Sequence, residues 1–245
     1  MRFSELLRKA LFFIGVPTCP SCGEKLDIDD SALCKNCFDE YIDFIEHDCS
    51  LCTAPLSHCS CTNKYLDSHS VKALYKVARY RPGNDTLPTN KLIYSLKRAH
   101  RADVLDFIAS EMEESLKNSG LELSSFIFTN VPRRRAAVRK YGYDHARELS
   151  RRLAERFGAE HRDLLISRVK RAQKKLFGRE RITNINFDYK GKYDLEKRNV
   201  IIVDDLVTTG ASMGAAAMLL KMSGAKRVFG ACFAIAYKDN AVKFE

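Results

Sequence analysis

No stretch of this chain is long and apolar enough to cross a membrane as a helix. The longest candidate, Ala10 to Pro17 behind Arg8 and Lys9, falls well short of the roughly 20 residues a bilayer requires. No small-residue cleavage site follows it, so a secretory leader is not expected and a cytoplasmic chain is. The default reading is a short helix over Leu6–Ile14 that docks on what comes next. Low-complexity tracts are absent, and nothing repeats beyond paired cysteines, which leaves an ordinary globular chain. A Ser/His/Asp-type constellation is missing too. That absence decides nothing, because chemistry that works by positioning reactants needs no nucleophilic side chain.

Acidic residues are in deficit: 31 Asp and Glu against 41 Lys and Arg, a net charge of +10 over 245 residues. The imbalance is local. Residues 1–70 hold 6 basic and 11 acidic side chains, whereas residues 131–198 hold 21 basic and 9 acidic. A basic field concentrated in this way suits a polyanion, either nucleic acid or pyrophosphate. The bland alternative is a solvated Arg/Lys surface. Hydrophobic residues make up 45%, enough for a buried core, and the length fits one small module plus one α/β domain.

Eight of the nine cysteines lie between Cys19 and Cys61. They are spaced Cys19-x-x-Cys22, Cys34-x-x-Cys37, Cys49-x-x-Cys52 and Cys59-x-Cys61. Two sulfurs of one tight turn reach a single tetrahedral metal, and four pairs supply two four-thiolate zinc sites. Gly23 permits the close turn after Cys22. A disulfide framework is the rival, but x-x spacing without a leader is a metal or redox pattern. Sequence order groups Cys19, Cys22, Cys34 and Cys37 against Cys49, Cys52, Cys59 and Cys61. An interleaved arrangement stays open, as does His58 in place of a sulfur in the last pair. The remaining cysteine, Cys232, sits in an apolar strand and reads as core.

Val200 to Ser212 carries the densest signal. Val200 to Val203 is four consecutive β-branched apolar residues, suited to a central parallel strand. Asp204 and Asp205 follow at its carboxyl end, where open α/β sheets place their ligand crevices. Leu206 to Gly210 is expected to turn the chain, and Ala211 to Met222 to form a helix stopped by Gly224. Backbone amides and the helix dipole favour a phosphate at that helix start, with the Thr208, Thr209 and Ser212 hydroxyls adding donors. Two carboxylates alongside suit vicinal hydroxyls. A sugar phosphate meets both demands.

The rest of the chain alternates strand and helix. Strands are expected at Val71–Tyr80, Ser125–Val131, Leu164–Val169 and Arg227–Tyr237. Helices are expected at Asn90–Ala99, at Ala102–Lys117 and from an Asp144 cap to Phe157. Such alternation means a mostly parallel sheet. His145 and His161 read as surface or capping residues.

The stretch Asp204-Asp205-x-x-Thr208-Thr209-Gly210 resembles the phosphoribosyl-pyrophosphate (PRPP) motif of the type I phosphoribosyltransferases. By that resemblance Asp204 and Asp205 hold the ribose hydroxyls and act in catalysis. The loop Leu206, Val207, Thr208, Thr209, Gly210, Ala211 and Ser212 binds PRPP through its 5′-phosphate, and magnesium accompanies the ligand. The multi-cysteine module joined to such a domain, with Lys91–Lys97, Val131–Arg135, Arg139–Asp144 and Gln173–Asn184 as further blocks, resembles the ComF family of competence and DNA-uptake proteins. Tyr143-Asp144-His145 departs from the Phe-Asn-Gln common there.

The resemblance implies an α/β fold: a type I phosphoribosyltransferase-like parallel sheet with flanking helices, preceded by a small cysteine-rich zinc-ribbon module. The division would fall at residues 1–66, with the double ribbon at about 17–62, and 67–245. Position nominates Arg133, Arg134, Arg135 and Lys97 for pyrophosphate. Arg139, Lys140, Arg171, Lys174, Lys175, Arg179 and Arg181 would serve single-stranded DNA, with Phe177, Phe187, Tyr189 and Tyr193 as stacking faces or core. The implied function is PRPP binding and single-stranded DNA handling in natural transformation, with a competence-machinery protein as a further partner. Two alternatives stand beside it: an active phosphoribosyltransferase (a glycosyltransferase) of nucleotide salvage, and a zinc-ribbon adaptor with a vestigial PRPP site.

Overall fold

The computed structural model describes residues 17–45, 48–98, 100–133, 135–167 and 187–236, with the backbone alone at 135 and 137. The expected helix at Leu6–Ile14 lies outside the described residues. So do Ala99, Arg134, Val169, Tyr237, the block 173–184 and, among the nominated DNA contacts, Arg171, Lys174, Lys175, Arg179 and Arg181.

Five strands form an all-parallel sheet in the order β1-β7-β6-β2-β3: β1 Val71–Tyr80, β2 Ile127–Asn130, β3 Glu160–His161, β6 Asn199–Val207 and β7 Arg227–Ala236. Val200 to Val203 are fully buried, as apolar runs in a sheet covered on both faces must be. The covering helices are α1 Lys35–Ile45, α2 Lys64–Ser68, α3 Pro88–Arg98, α4 Ala102–Lys117, α5 Arg135–Tyr141, α6 His145–Arg156 and α7 Ala211–Met222. One face packs under α1, α3, α4 and α6, where Tyr41, Ile108, Met112 and Leu149 meet Ile201, Val203 and Phe233. The other packs under α7 and α2, where Met213, Ala217 and Leu66 meet Val200, Ile202 and Val228.

The expected parallel sheet with flanking helices is observed, and α4, α6 and α7 run as the sequence pattern predicts. Asp144 caps α6, its carboxylate accepting from the Arg147 amide. Two expectations need correction. The strand after Asp204-Asp205 does not turn at Leu206; it continues to Val207, in register with Ile235 of β7, because Val207 is itself buried against α7's layer. The expected strand at Leu164–Val169 is present over Leu165–Ser167 (β4), but it lies outside the five-stranded sheet. It pairs antiparallel with Phe187–Tyr189 (β5) as a separate two-stranded sheet, for Leu165 and Phe187 are buried against the α7 side rather than beside β3.

The cysteine-rich segment is not a free appendage. Tyr41 of α1 is fully buried, donates to Glu111 Oε2 at 2.9 Å and packs on Phe107 and Phe233. Cys19, Leu26, Leu33, Cys34 and Cys37 share that core. The second cysteine loop has only a small cluster of its own, Cys49, Leu56 and Cys59.

Candidate sugar-phosphate site and cysteine centres

Strand β6 delivers Asp204 and Asp205 to the sheet's carboxyl edge, and Thr208–Gly210 turns the chain into α7. Gly210 caps α7 at φ 82° and offers no side-chain cap of its own, while the Ala211 amide donates to Thr209 Oγ1 at 3.3 Å. Thr208, Thr209, Ala211 and Ser212 are exposed. An N-terminus of this form, with hydroxyls at its rim, is an anion seat. A side chain at Gly210 would have to take a left-handed φ, and its Cβ would lie 2.9 Å from Leu66, so glycine is required there. Leu66 belongs to α2, whose cap Asn63 also donates to Thr209 O at 3.4 Å. The segment after Cys61 therefore supports the phosphate loop from beneath.

The two aspartates are not equivalent. Asp204 is part-buried, and its Oδ1 accepts from the Asp205 amide at 3.0 Å. Burial, and then the adjoining Asp205 charge, push its carboxyl well above the usual range. Asp205 is 3% exposed. Its Oδ1 lies 3.1 Å from His145 Nε2, and Lys97 Nζ approaches Oδ2 at 2.8 Å. That second oxygen receives no hydrogen bond of regular geometry, so the Lys97 contact is one of charge. Burial alone would raise the Asp205 carboxyl; the His145 hydrogen bond and the Lys97 ammonium outweigh it and hold it below the carboxylate range.

His145 is accordingly not a surface residue, which corrects the expectation. It is 5% exposed at the first position of α6. Arg133 Nη1 stands 3.0 Å from its Nδ1; a guanidinium only donates, so Nδ1 accepts and Nε2–H donates to Asp205. Arg133 also contacts Tyr143 O and lies 4.8 Å over the Tyr141 ring. Arg133, His145, Asp205 and Lys97 thus form one chain of polar contacts, joining the loop after β2 to β6 and α3. No spacing in the sequence marks His145 for this; Tyr143-Asp144-His145 showed only as a departure from the family pattern. His161 is a strand residue, in β3, where burial lowers its imidazole below its ordinary value.

The nominated Arg139 and Lys140 are exposed on α5. Of the aromatics, Phe187 is core, Tyr189 is part-buried and Tyr193 is 37% exposed. Tyr193 lines a cavity of about 290 Å³ with Arg147, His161, Arg162, Asp163, Lys190 and Lys192. Asp163 is occupied there by Arg147, through two bonds of 2.8 Å, so the lining is cationic on balance.

The cysteines gather in sequence order: Cys19, Cys22, Cys34 and Cys37, then Cys49, Cys52, Cys59 and Cys61. Within each group every sulfur lies within 4.8 Å of the others. No disulfide forms; Cys22 and Cys34 stand 3.6 Å apart, as do Cys52 and Cys59. Sulfurs tetrahedral about zinc at about 2.3 Å are roughly 3.8 Å apart, so both groups could hold zinc ions. His58 stands outside the second group, its Nδ1 against Ser57 Oγ. The two loops are built alike. Cys19 N bonds Glu24 O and Gly23 N bonds Cys19 O; Cys49 N bonds Ala54 O and Thr53 N bonds Cys49 O. Thr53 takes the glycine's place at φ 60°. Although burial opposes it, the Leu51 amide and neighbouring groups lower the Cys49 thiol to about 7, which favours the thiolate a metal needs.

A phosphoribosyl transferase domain matches residues 136–243. "DNA utilization protein YhgH" of Escherichia coli O6:H1 is 27% identical over 190 residues, 74% of this chain and 80% of that protein. The protein of the same name from Salmonella typhimurium is 27% identical with the same coverage. Among solved structures, a purine phosphoribosyltransferase from Pyrococcus horikoshii aligns over 56% of this chain and 77% of its own, at 18% identity and a TM-score of 0.36. Among the described residues no helix is long and apolar enough to cross a membrane. The chain carries a phosphoribosyl transferase domain behind two cysteine centres, and over three quarters of its length it is related to the DNA utilization proteins, in line with its resemblance to the ComF family.

Proposed function

We propose that this chain binds PRPP with magnesium at the β6–α7 turn and handles single-stranded DNA in the cytoplasm, as a ComF-type competence protein. The observation that carries the first part is the glycine-capped start of α7, ringed by exposed Thr208, Thr209 and Ser212 beside the part-buried Asp204. Asp204 would take a ribose hydroxyl directly. Asp205 takes one only when Lys97 or His145 yields; the Lys97 side chain, 32% exposed, is the freer to leave and would then meet the pyrophosphate. The DNA part is supported by the name of the relatives, the exposed Arg139 and Lys140 and the cationic cavity beside Tyr193. The zinc-bearing unit would be residues 1–66 and the PRPP unit residues 67–245.

A second reading, transfer of the phosphoribosyl group to an acceptor, is favoured by the Arg133–His145–Asp205–Lys97 chain. In this reading the Arg133 and Lys97 cations would stabilise the negative charge that gathers on departing pyrophosphate, and catalysis would consist of orientation and charge stabilisation.

Calorimetric titration of magnesium PRPP into the zinc-loaded protein tests the first part. Binding is expected, weakened about ten- to a hundredfold in Asp204→Asn, as suits one lost hydrogen bond to a charged group. No binding by the unaltered protein would reduce the motif to architecture. For the DNA part, the affinity of a labelled oligonucleotide should fall steeply between low and physiological salt. A flat dependence would remove DNA from the function.

A further inference from the structure

Lys76 is the one fully buried lysine among the described residues, 1% exposed in the middle of β1. Lysines are almost never found this deep without a partner. Its ammonium reaches Cys59 Sγ at 3.1 Å, Cys61 O at 2.9 Å, Leu74 O at 3.2 Å and Cys59 O at 3.4 Å. No carboxylate stands among these contacts. Carbonyl dipoles solvate an ammonium but do not neutralise it, so the charge calls for an anion, and the one at hand is the second cysteine group.

That group has the complementary difficulty. A zinc ion held by four thiolates retains surplus negative charge, and here Cys49 and Cys59 are each 2% exposed. At the first group the Cys19 sulfur is served by the backbone amides of Cys22, Cys34 and Ser21, and among the described residues no side-chain cation bonds it. Among the described residues, the second group alone borrows a charge from the sheet.

We propose that Lys76 is the counter-charge of the metal at Cys49, Cys52, Cys59 and Cys61, so that a residue of the sheet sets how firmly this one metal is held. Lys76 acts through Cys59 rather than on the metal and is a positioning residue. The link has a further end. In register, Lys76 of β1 sits beside Cys232 of β7, and Cys232 beside Asp204 of β6, so the metal loop and the part-buried aspartate stand on one row of the sheet.

The first group is an internal control. Zinc content by elemental analysis, and zinc transfer to a chromogenic chelator over time, are compared in the full chain and in Lys76→Met, which keeps the buried stem and removes the charge. The unaltered protein should hold two zinc ions and yield both slowly. Lys76→Met should yield one about ten- to a hundredfold faster, the usual consequence of deleting a hydrogen bond to a metal ligand, and the other at the unaltered rate. Lys76→Gln, which keeps an N–H donor, should fall between and serves if the Met variant does not fold. Wild-type retention of both metals in the neutral variants would overturn the proposal. So would loss of both together, since the lysine would then only support the fold, or an unaltered protein with no metal at the second group.

Discussion

A chelator applied under reducing conditions should lower the melting temperature of the whole chain by about 10–20 °C, well beyond a local fraying of residues 17–62. A loop segment of that size has too little core to fold alone, so the metal free energy is its folding free energy. The effect spreads because the first cysteine group is in the main core: Cys19, Cys34 and Cys37 pack with Tyr41, and Tyr41 packs on Phe107 and Phe233. Releasing α1 uncovers α4 and part of the sheet. A loss of about 5 kcal/mol corresponds to the stated shift at this chain length. Differential scanning calorimetry with and without chelator, beside metal analysis giving about two zinc ions per chain, checks it. An unchanged melting temperature in a metal-free protein would turn the cysteines into a thiol or disulfide device.

The second large effect is expected at His145. Replacing it with leucine strands the buried Asp205 carboxylate on one side and the Arg133 guanidinium on the other. Losing a hydrogen bond to a charged group costs about 1.5–3 kcal/mol; two such bonds go and Lys97 remains to moderate the loss at Asp205, so about 3 kcal/mol is expected from urea unfolding. Adding Asp205→Leu should recover part of the loss, because the stranded charge goes with it. Strict additivity would mean the two side chains do not interact. The acid limb carries the opposite test. Asp205 is held below its ordinary value, so its contribution is present above about pH 4 and is lost only as pH falls through the lowered value. His145→Leu should bring the acid transition to higher pH.

Four of the sheet's five strands were legible because they are apolar runs, and the long helices because they have stripes and caps: Val200–Val203, the Asp144 cap, and Leu105, Ile108, Met112 and Leu116 on one face. Strand β3, only Glu160–His161, carries no such pattern. Local rules reach that far. They did not reach α1, α2 or α5, which are short and take their stability from what they lie against: Tyr41 on Phe107, Leu66 beneath Gly210. The turn after Asp205 was misplaced by two residues because Leu206 and Val207 carry no signal of their own; pairing with β7 holds them extended. At the site, the acidic pair and the threonine loop are consecutive residues and could be read. His145 and Lys97 come from two other elements and meet Asp205 only after the sheet has formed. Lys76 is the extreme case. In the sequence it is one basic residue of 41, inside a strand where a charge ought to face water.

The strand order has a consequence for how the chain is made. Among the described residues strand β1 lies at the sheet's edge and pairs with β7 alone, the last strand of the sheet in chain order. On the ribosome, β1 emerges before the rest of the sheet and finds no strand partner until nearly all of it has been synthesised. Contacts so distant in sequence form slowly, and meanwhile an apolar edge stands open to other chains. Metal captured early would order the segment just before β1 and pin its start, holding the first strand in reserve for the last.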